Sequence, residues 1–125
     1  MAYELAWEPR GVALTFSGQV SFGDIWNATI CYQGDSRFDD LHYVIADYLH
    51  VTGCDAAPTE MDYLWALDRA AGISNPKIKK AVITTHPAII ALAIHYKAQE
   101  IRAFPTEVFT HLDDARHWLD FGTLG

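Results

Sequence analysis

Tyr43-Val44-Ile45-Ala46-Asp47 is the segment that most restricts the fold of this chain. An almost unbroken apolar run closed by an acid reads as a strand covered on both faces, because a strand with one wet face alternates polar and apolar residues. A covered sheet needs helices packed on it, and the flanking residues supply their signals.

Ser21-Phe22-Gly23-Asp24 has capping-box spacing: the serine accepts from a free amide and the acid three positions on reaches back. It predicts a helix with Phe22, Ile25, Thr29 and Tyr32 on one face, ended by the polar Gly34-Asp35-Ser36-Arg37 loop. A strand over Leu41 to Tyr48 and a Thr52-Gly53 loop follow. Thr59-Glu60-Met61-Asp62 repeats the capping spacing and opens a helix with Leu64, Leu67 and Ala71 inward, stopped by Gly72 and Asn75-Pro76. Ala81 to Thr84 is a short apolar strand, and Pro87 suits a first helical position. Ala91, Ile94, Ala98 and Ile101 then recur at helical spacing. Val108-Phe109 is a brief strand. Thr110-His111-Leu112-Asp113 opens a last helix with Leu112, Ala115 and Leu119 inward.

At the N-terminus, Tyr3, Leu5 and Trp7 alternate with Glu4 and Ala6, and Val12, Leu14 and Phe16 alternate with Ala13 and Thr15. Period-two patterning of this kind predicts two half-buried strands, and Glu8-Pro9-Arg10-Gly11 between them reads as a hairpin turn. The expected order is ββαβαβαβα. It describes one α/β domain over residues 1–120 with a mixed, mostly parallel sheet and an N-terminal hairpin; residues 121–125 read as a flexible tail.

The chain has 125 residues, half of them hydrophobic, and a formal charge of -7. Nucleic-acid binding calls for a basic face, whereas Lys77, Lys79 and Lys80 form the one local basic cluster and read as the solvated start of a strand. The opening Met1-Ala2-Tyr3-Glu4-Leu5 is not a signal peptide, having neither a basic region nor an apolar run. Ala88 to Ile94 is too short to span a bilayer. Cys31 and Cys54 are too few and isolated for a disulfide framework; they read as reduced thiols of a cytoplasmic protein.

Asp47, Thr52, Asp55, Thr85 and His86 follow the expected strand ends, where open α/β sheets place ligand sites. Thr85, His86 and the amides after Pro87 offer either a small anion site or ordinary helix caps. Asp55, ahead of a helix, is either an N-cap or loop-bonding residue or a fixed anion for recognition. His111 and His117, six apart, do not share a helical face, and neither they nor His42 and His50 belong to a zinc-type motif. No Gly-x-Gly-x-x-Gly follows a strand, so no nucleotide or other cofactor is expected. Cys54 beside Asp55 is a poor nucleophile, since the neighbouring charge disfavours a thiolate. An enzyme is therefore not expected.

Asp47, Val51 and Asp55, followed by Ala56 and Ala57, resemble the core segment of STAS domains, the fold of anti-sigma-factor antagonists and sulphate-transporter tails. In that family one acid ends the central strand, a hydrophobe stands four positions on, and a second acid precedes the phosphoacceptor serines. The Trp7, Gly11, Phe16, Gly18 beginning and the Gly34-Asp35-x-Arg37-Phe38 loop are similar to the bacterial SpoIIAA-like subgroup. The resemblance implies a SpoIIAA-like fold and, over Asp47 to Ala57, the family's core segment; together with the strand-end positions it gives an expected binding rim at Asp47, Thr52, Asp55, Ala56, Ala57, Thr85 and His86. It implies no phosphorylation there, because Ala56 and Ala57 have no hydroxyl. The expectation is a non-enzymatic interaction or regulatory module with a protein partner. The alternative is a carrier of a small apolar ligand or lipid, with Phe22, Trp26, Tyr63 and Trp65 available to line a pocket. The four tryptophans, Trp7, Trp26, Trp65 and Trp118, suit either an interface such as a homodimer or the core and its rim.

Overall fold

The computed structural model describes residues 2–122. β1 (Tyr3–Glu8) and β2 (Gly11–Val20) form the hairpin, in register from Tyr3↔Phe16 to Glu8↔Gly11. Tyr3, Leu5 and Trp7 thereby share a face with Val12, Leu14 and Phe16, and all six join the main core. Gly11 is required by a close approach: a Cβ there would lie 2.1 Å from the Tyr43 ring.

α1 (Phe22–Gln33) opens on the expected box. Ser21 Oγ accepts from the Asp24 amide at 3.2 Å, and Asp24 Oδ2 accepts from the Ser21 amide at 2.9 Å. A 3-10 turn over Ser36–Asp40 leads to β3 (Tyr43–Cys54), and another over Pro58–Glu60 leads to α2 (Met61–Ser74). β4 (Lys79–Ile83), α3 (Pro87–Lys97), β5 (Thr106–Phe109) and α4 (Leu112–Phe121) complete the chain.

The sheet order is β1-β2-β3-β4-β5, antiparallel in the hairpin and parallel from β2 to β5. Right-handed crossovers between successive neighbours carry α1, α2 and α3 to one face. There they bury Phe16, Val44, Ala46, Tyr48 and Val82, and Phe16 stacks on Tyr48 at 4.5 Å between ring centroids. α4 lies on the other face over Ile45, Ala81, Ile83 and Phe109, burying Ala115 and Trp118. Its Arg116 grips Glu8 with two hydrogen bonds, of 2.6 and 2.7 Å, while the Tyr43 hydroxyl donates to the same carboxylate. This clamp ties the hairpin to the far end of the chain.

Several elements depart from the sequence reading. β3 does not stop at Tyr48: its last residues pair with Ser17–Val20, so Thr52 and Gly53 lie within a strand. α3 turns inward Ile89, Leu92, Ala93 and Tyr96, leaving Ala91 and Ile94 exposed; it ends at Lys97, so exposed Ala98 caps it and exposed Ile101 lies beyond it. Its start is apolar on every side, so spacing alone does not select a face. α2 buries Met61, Leu64 and Asp68, with Leu67 and Ala71 half-buried; on α4, Leu112 is exposed and Trp118 takes the inward place. Thr59 lies inside the 3-10 turn and caps nothing, and His111, at the N-cap of α4, makes no side-chain cap bond. Lys80 is buried rather than solvated. At the expected tail, Phe121 is still helical and Gly122 caps α4 at φ 72°; positions 123–125 lie outside the described residues.

Candidate functional site

The residues expected to form one rim fall into two groups, because β3 outruns β4. Asp47 pairs with Ile83, the last residue of β4, and so lies beside the loop that carries Thr85 and His86. Thr52, Asp55, Ala56 and Ala57 lie at the far tip of the β2–β3 ribbon. At roughly 3.3 Å per residue, eight residues separate Asp47 from Asp55 by about 25 Å of extended chain.

Two register shifts bend this ribbon. Thr15↔Asp47 is followed by Ser17↔His50, and Gly18↔Val51 by Gln19↔Gly53. Each leaves one extra residue on β3, as a β-bulge does. Asp47 serves the first: its Oδ1 accepts from the Leu49 amide at 2.9 Å. Thr52 is the extra residue of the second and is exposed. On β2, Gly18 holds φ 69° beside it, a backbone region costly for residues with a Cβ.

In the Asp47 group, His86 is the N-cap of α3. Its Nδ1 accepts from the Ala88 amide at 3.1 Å, and its own amide donates to Thr84 Oγ1 at 3.0 Å. The first turn is thus capped from within the chain, and Thr85 points to solvent. The strand order contains no reversal, so this end of the sheet lacks the crevice that a topological switch point creates.

At the ribbon tip, Asp55 is exposed and its carboxylate has no hydrogen-bond partner among the described residues. It is not a cap: the 3-10 turn starts at Pro58, and the Ala57 amide donates instead to Glu60 Oε1 at 2.7 Å. Ala56 packs on the main core and Ala57 is exposed. Burial pushes the Cys54 thiol up, and the negative charges of Asp55, Glu60 and Asp24 add to the shift. The three acids therefore gather at this tip. Beside them Phe22 and Trp26 of α1 and Tyr63 of α2 line a shallow apolar depression of about 290 Å³.

A buried polar cluster was not visible as such in the sequence. Asp68, 0% exposed, receives Lys80 Nζ at 3.0 Å, the Tyr96 hydroxyl at 2.7 Å and Gln33 Nε2 at 2.7 Å. Lys80 Nζ also sits 4.7 Å from the centre of the Tyr96 ring. Burial and the Asp68 charge push the Tyr96 and Tyr32 hydroxyls well up. Two signals were present: an acid four positions after Leu64 on the inward stripe, and a lysine leading the apolar strand Ala81-Val82-Ile83. Lys80 and Tyr96 also line an interior cavity with Met61, Leu64, Ile89 and Leu92. Its volume is about 30 Å³, room for a water or two and far below the few hundred Å³ of an ordinary ligand pocket. Among the described residues no three His, Cys, Asp or Glu side chains gather as metal ligands, and no helix is long and apolar enough to cross a membrane.

No family model matches the chain, and no curated protein matches it. A solved structure does: the crystal structure of an uncharacterised DUF3478-family protein from Shewanella loihica with a SpoIIAA-like fold. The two share 14% identity over 94% of this chain and 92% of the other, with a TM-score of 0.54. The fold is therefore SpoIIAA-like, as the Asp47–Ala57 resemblance implied.

Proposed function

We propose that this SpoIIAA-like chain is a non-enzymatic, cytoplasmic protein-interaction module that docks its partner on the helical layer starting at the Asp55 loop. One observation carries the reading. Large apolar side chains stand in solvent on that layer: Ile30 on α1, Tyr63 (67% exposed) and Ile73 (77%) on α2, and Ile94 (64%) on α3. Apolar side chains left in solvent along neighbouring helices of one layer support an interaction surface there. The ribbon tip adds three acids and two alanines where serine-bearing relatives of the fold would be switched.

The chemistry of the tip supports a binding role over catalysis. Cys54, the nearest nucleophile, is held protonated by burial and by its acidic neighbours, the opposite of what a reactive cysteine needs. A carrier of an apolar ligand is less favoured, because the space beneath α2 and α3 is only about 30 Å³ and the depression at Phe22, Trp26 and Tyr63 is shallow and open to solvent.

Capture from a cell lysate tests the proposal, comparing the intact protein with a Tyr63→Lys, Ile94→Lys variant. Both positions are exposed, so the fold should tolerate the change. Loss of a partner from the variant supports the reading; equal recovery of every partner overturns it.

A further inference from the structure

α1 and α2 cross the same face of the sheet in the same direction, yet their backbones make few close approaches. Side chains bridge them instead. The Phe22 and Tyr63 rings meet at 6.5 Å near one end, and Gln33 Nε2 donates to Asp68 Oδ1 at 2.7 Å towards the other. Between the helices runs a seam with two apolar depressions. The aromatic one is lined by Phe22, Gly23, Trp26 and Tyr63. The second, of about 440 Å³, is lined chiefly by Ile30, Gly34, Leu67, Ala70 and Ala71.

We propose that this seam seats a basic amphipathic helix of a partner protein, an inference that rests on the interaction-module reading and specifies its occupant. Phe22, Trp26 and Ile30 recur every four residues along α1, opposite Tyr63, Leu67 and Ala70 or Ala71 on α2. Such paired rows accept apolar anchors spaced i, i+3 or i+4, and i+7 on an incoming helix. The twelve residues of α1 span about 18 Å, three turns of partner. Gly23, Gly34, Ala70 and Ala71 keep the walls low, so a helix backbone can come close.

Charge decides which kind of helix fits. Neither depression is lined by Lys or Arg, and Asp39 lines the second. Asp24, Asp55 and Glu60 gather at the aromatic end, close enough to the Cys54 thiol to raise it. At the Asp39 end, Lys77 Nζ bonds the residue's carbonyl and offsets its charge. An acidic helix would meet like charge at the aromatic end, where a Lys-rich one would meet its complement.

The test uses synthetic leucine–lysine helical peptides of about 18 residues, at physiological ionic strength, followed by tryptophan fluorescence and amide chemical shifts of the full chain. The expected result is shifts centred on residues 22–34 and 60–74. Binding should be at least about tenfold tighter than for a leucine–glutamate peptide or for a scrambled leucine–lysine peptide with no apolar face. Ala70→Lys, at an exposed position within the seam, should weaken binding about tenfold, while Ala91→Lys on exposed α3 leaves it unchanged. Neutralising Asp24, Asp55 and Glu60 together should weaken it by a similar factor. Equal binding of all three peptides, shifts elsewhere, or indifference to Ala70→Lys would overturn the proposal. So would seam shifts produced only by self-association at high protein concentration, or only by phospholipid vesicles. If the peptides fail while Tyr63→Lys, Ile94→Lys still loses a partner from lysate, the occupant is wrong and the module reading stands. If both fail, both fall.

Discussion

Replacing Lys80 by methionine tests the buried cluster beneath the helical layer most directly. Methionine keeps much of the lysine stem's length and removes the ammonium that sits 3.0 Å from Asp68 Oδ2. Asp68 would remain, fully buried, with the Tyr96 hydroxyl and Gln33 amide as its donors. Breaking a buried pair by removing one partner costs about 3–5 kcal/mol, since the other charge is left without its counter-ion. In a chain of 125 residues that corresponds to a fall in Tm of about 12–20 °C. Urea unfolding followed by tryptophan fluorescence reads the change, with an unaltered m-value showing that the native surface is unchanged. The double variant Asp68→Asn, Lys80→Met removes both charges and should cost less than the sum of the two singles. If Lys80→Met costs less than about 1 kcal/mol, as for a pair on the surface, or if the singles simply add, the cluster is not the buried ionic unit described above.

Three further outcomes are expected. Gly11→Ala would drive a Cβ into the Tyr43 ring and displace its hydroxyl from Glu8, costing about 1–3 kcal/mol as an overpacked site does; an unchanged urea midpoint would refute the close approach. Arg116 holds the Glu8 carboxyl below its ordinary 4.5, and a depressed acid stabilises the fold above its unfolded value and loses that contribution as pH falls through the folded one. The Tm gap between the intact protein and Arg116→Gln should therefore be full above pH 4.5 and close on acidification below it; a gap that is flat with pH would contradict the clamp. Iodoacetamide should modify exposed Cys31 well before Cys54, and Asp55→Asn with Glu60→Gln should quicken Cys54, as read by intact mass; equal rates before and after would dissolve the acidic tip.

The element order was legible in the chain because local signals agreed with it: Pro9 to Gly11 for the turn, Ser21 and Asp24 for the cap of α1, Pro87 for the start of α3. The errors fell where tertiary context overrode local pattern. Thr52-Gly53 after a strand ending at Tyr48 reads as a loop, yet pairing with Ser17–Val20 keeps the segment extended, and this one misreading joined Asp47 and Asp55 into a single rim. α3 misled because a helix that is apolar all round carries no phase information. Asp68 and Lys80 were hidden because a charge read by itself is assigned to water, and only the packing of α2 and α3 on β4 shows each acting as the other's solvent. The aromatic depression was partly visible, since Phe22, Trp26 and Tyr63 could be named; their juxtaposition depends on how α1 and α2 pack side by side on the sheet.

A sheet whose spatial sequence copies its chain sequence can be laid down like bricks in a single course. Each strand adds to an edge already present, and none must be inserted between two finished neighbours. The chain as far as Ile83 supplies four adjacent strands and two of their helices. A single domain of this size folds as a unit, and each parallel pairing closes a loop no longer than one crossover helix and its turns. The Glu8–Arg116 clamp then joins first residues to last and fastens the stack only after the final helix has emerged.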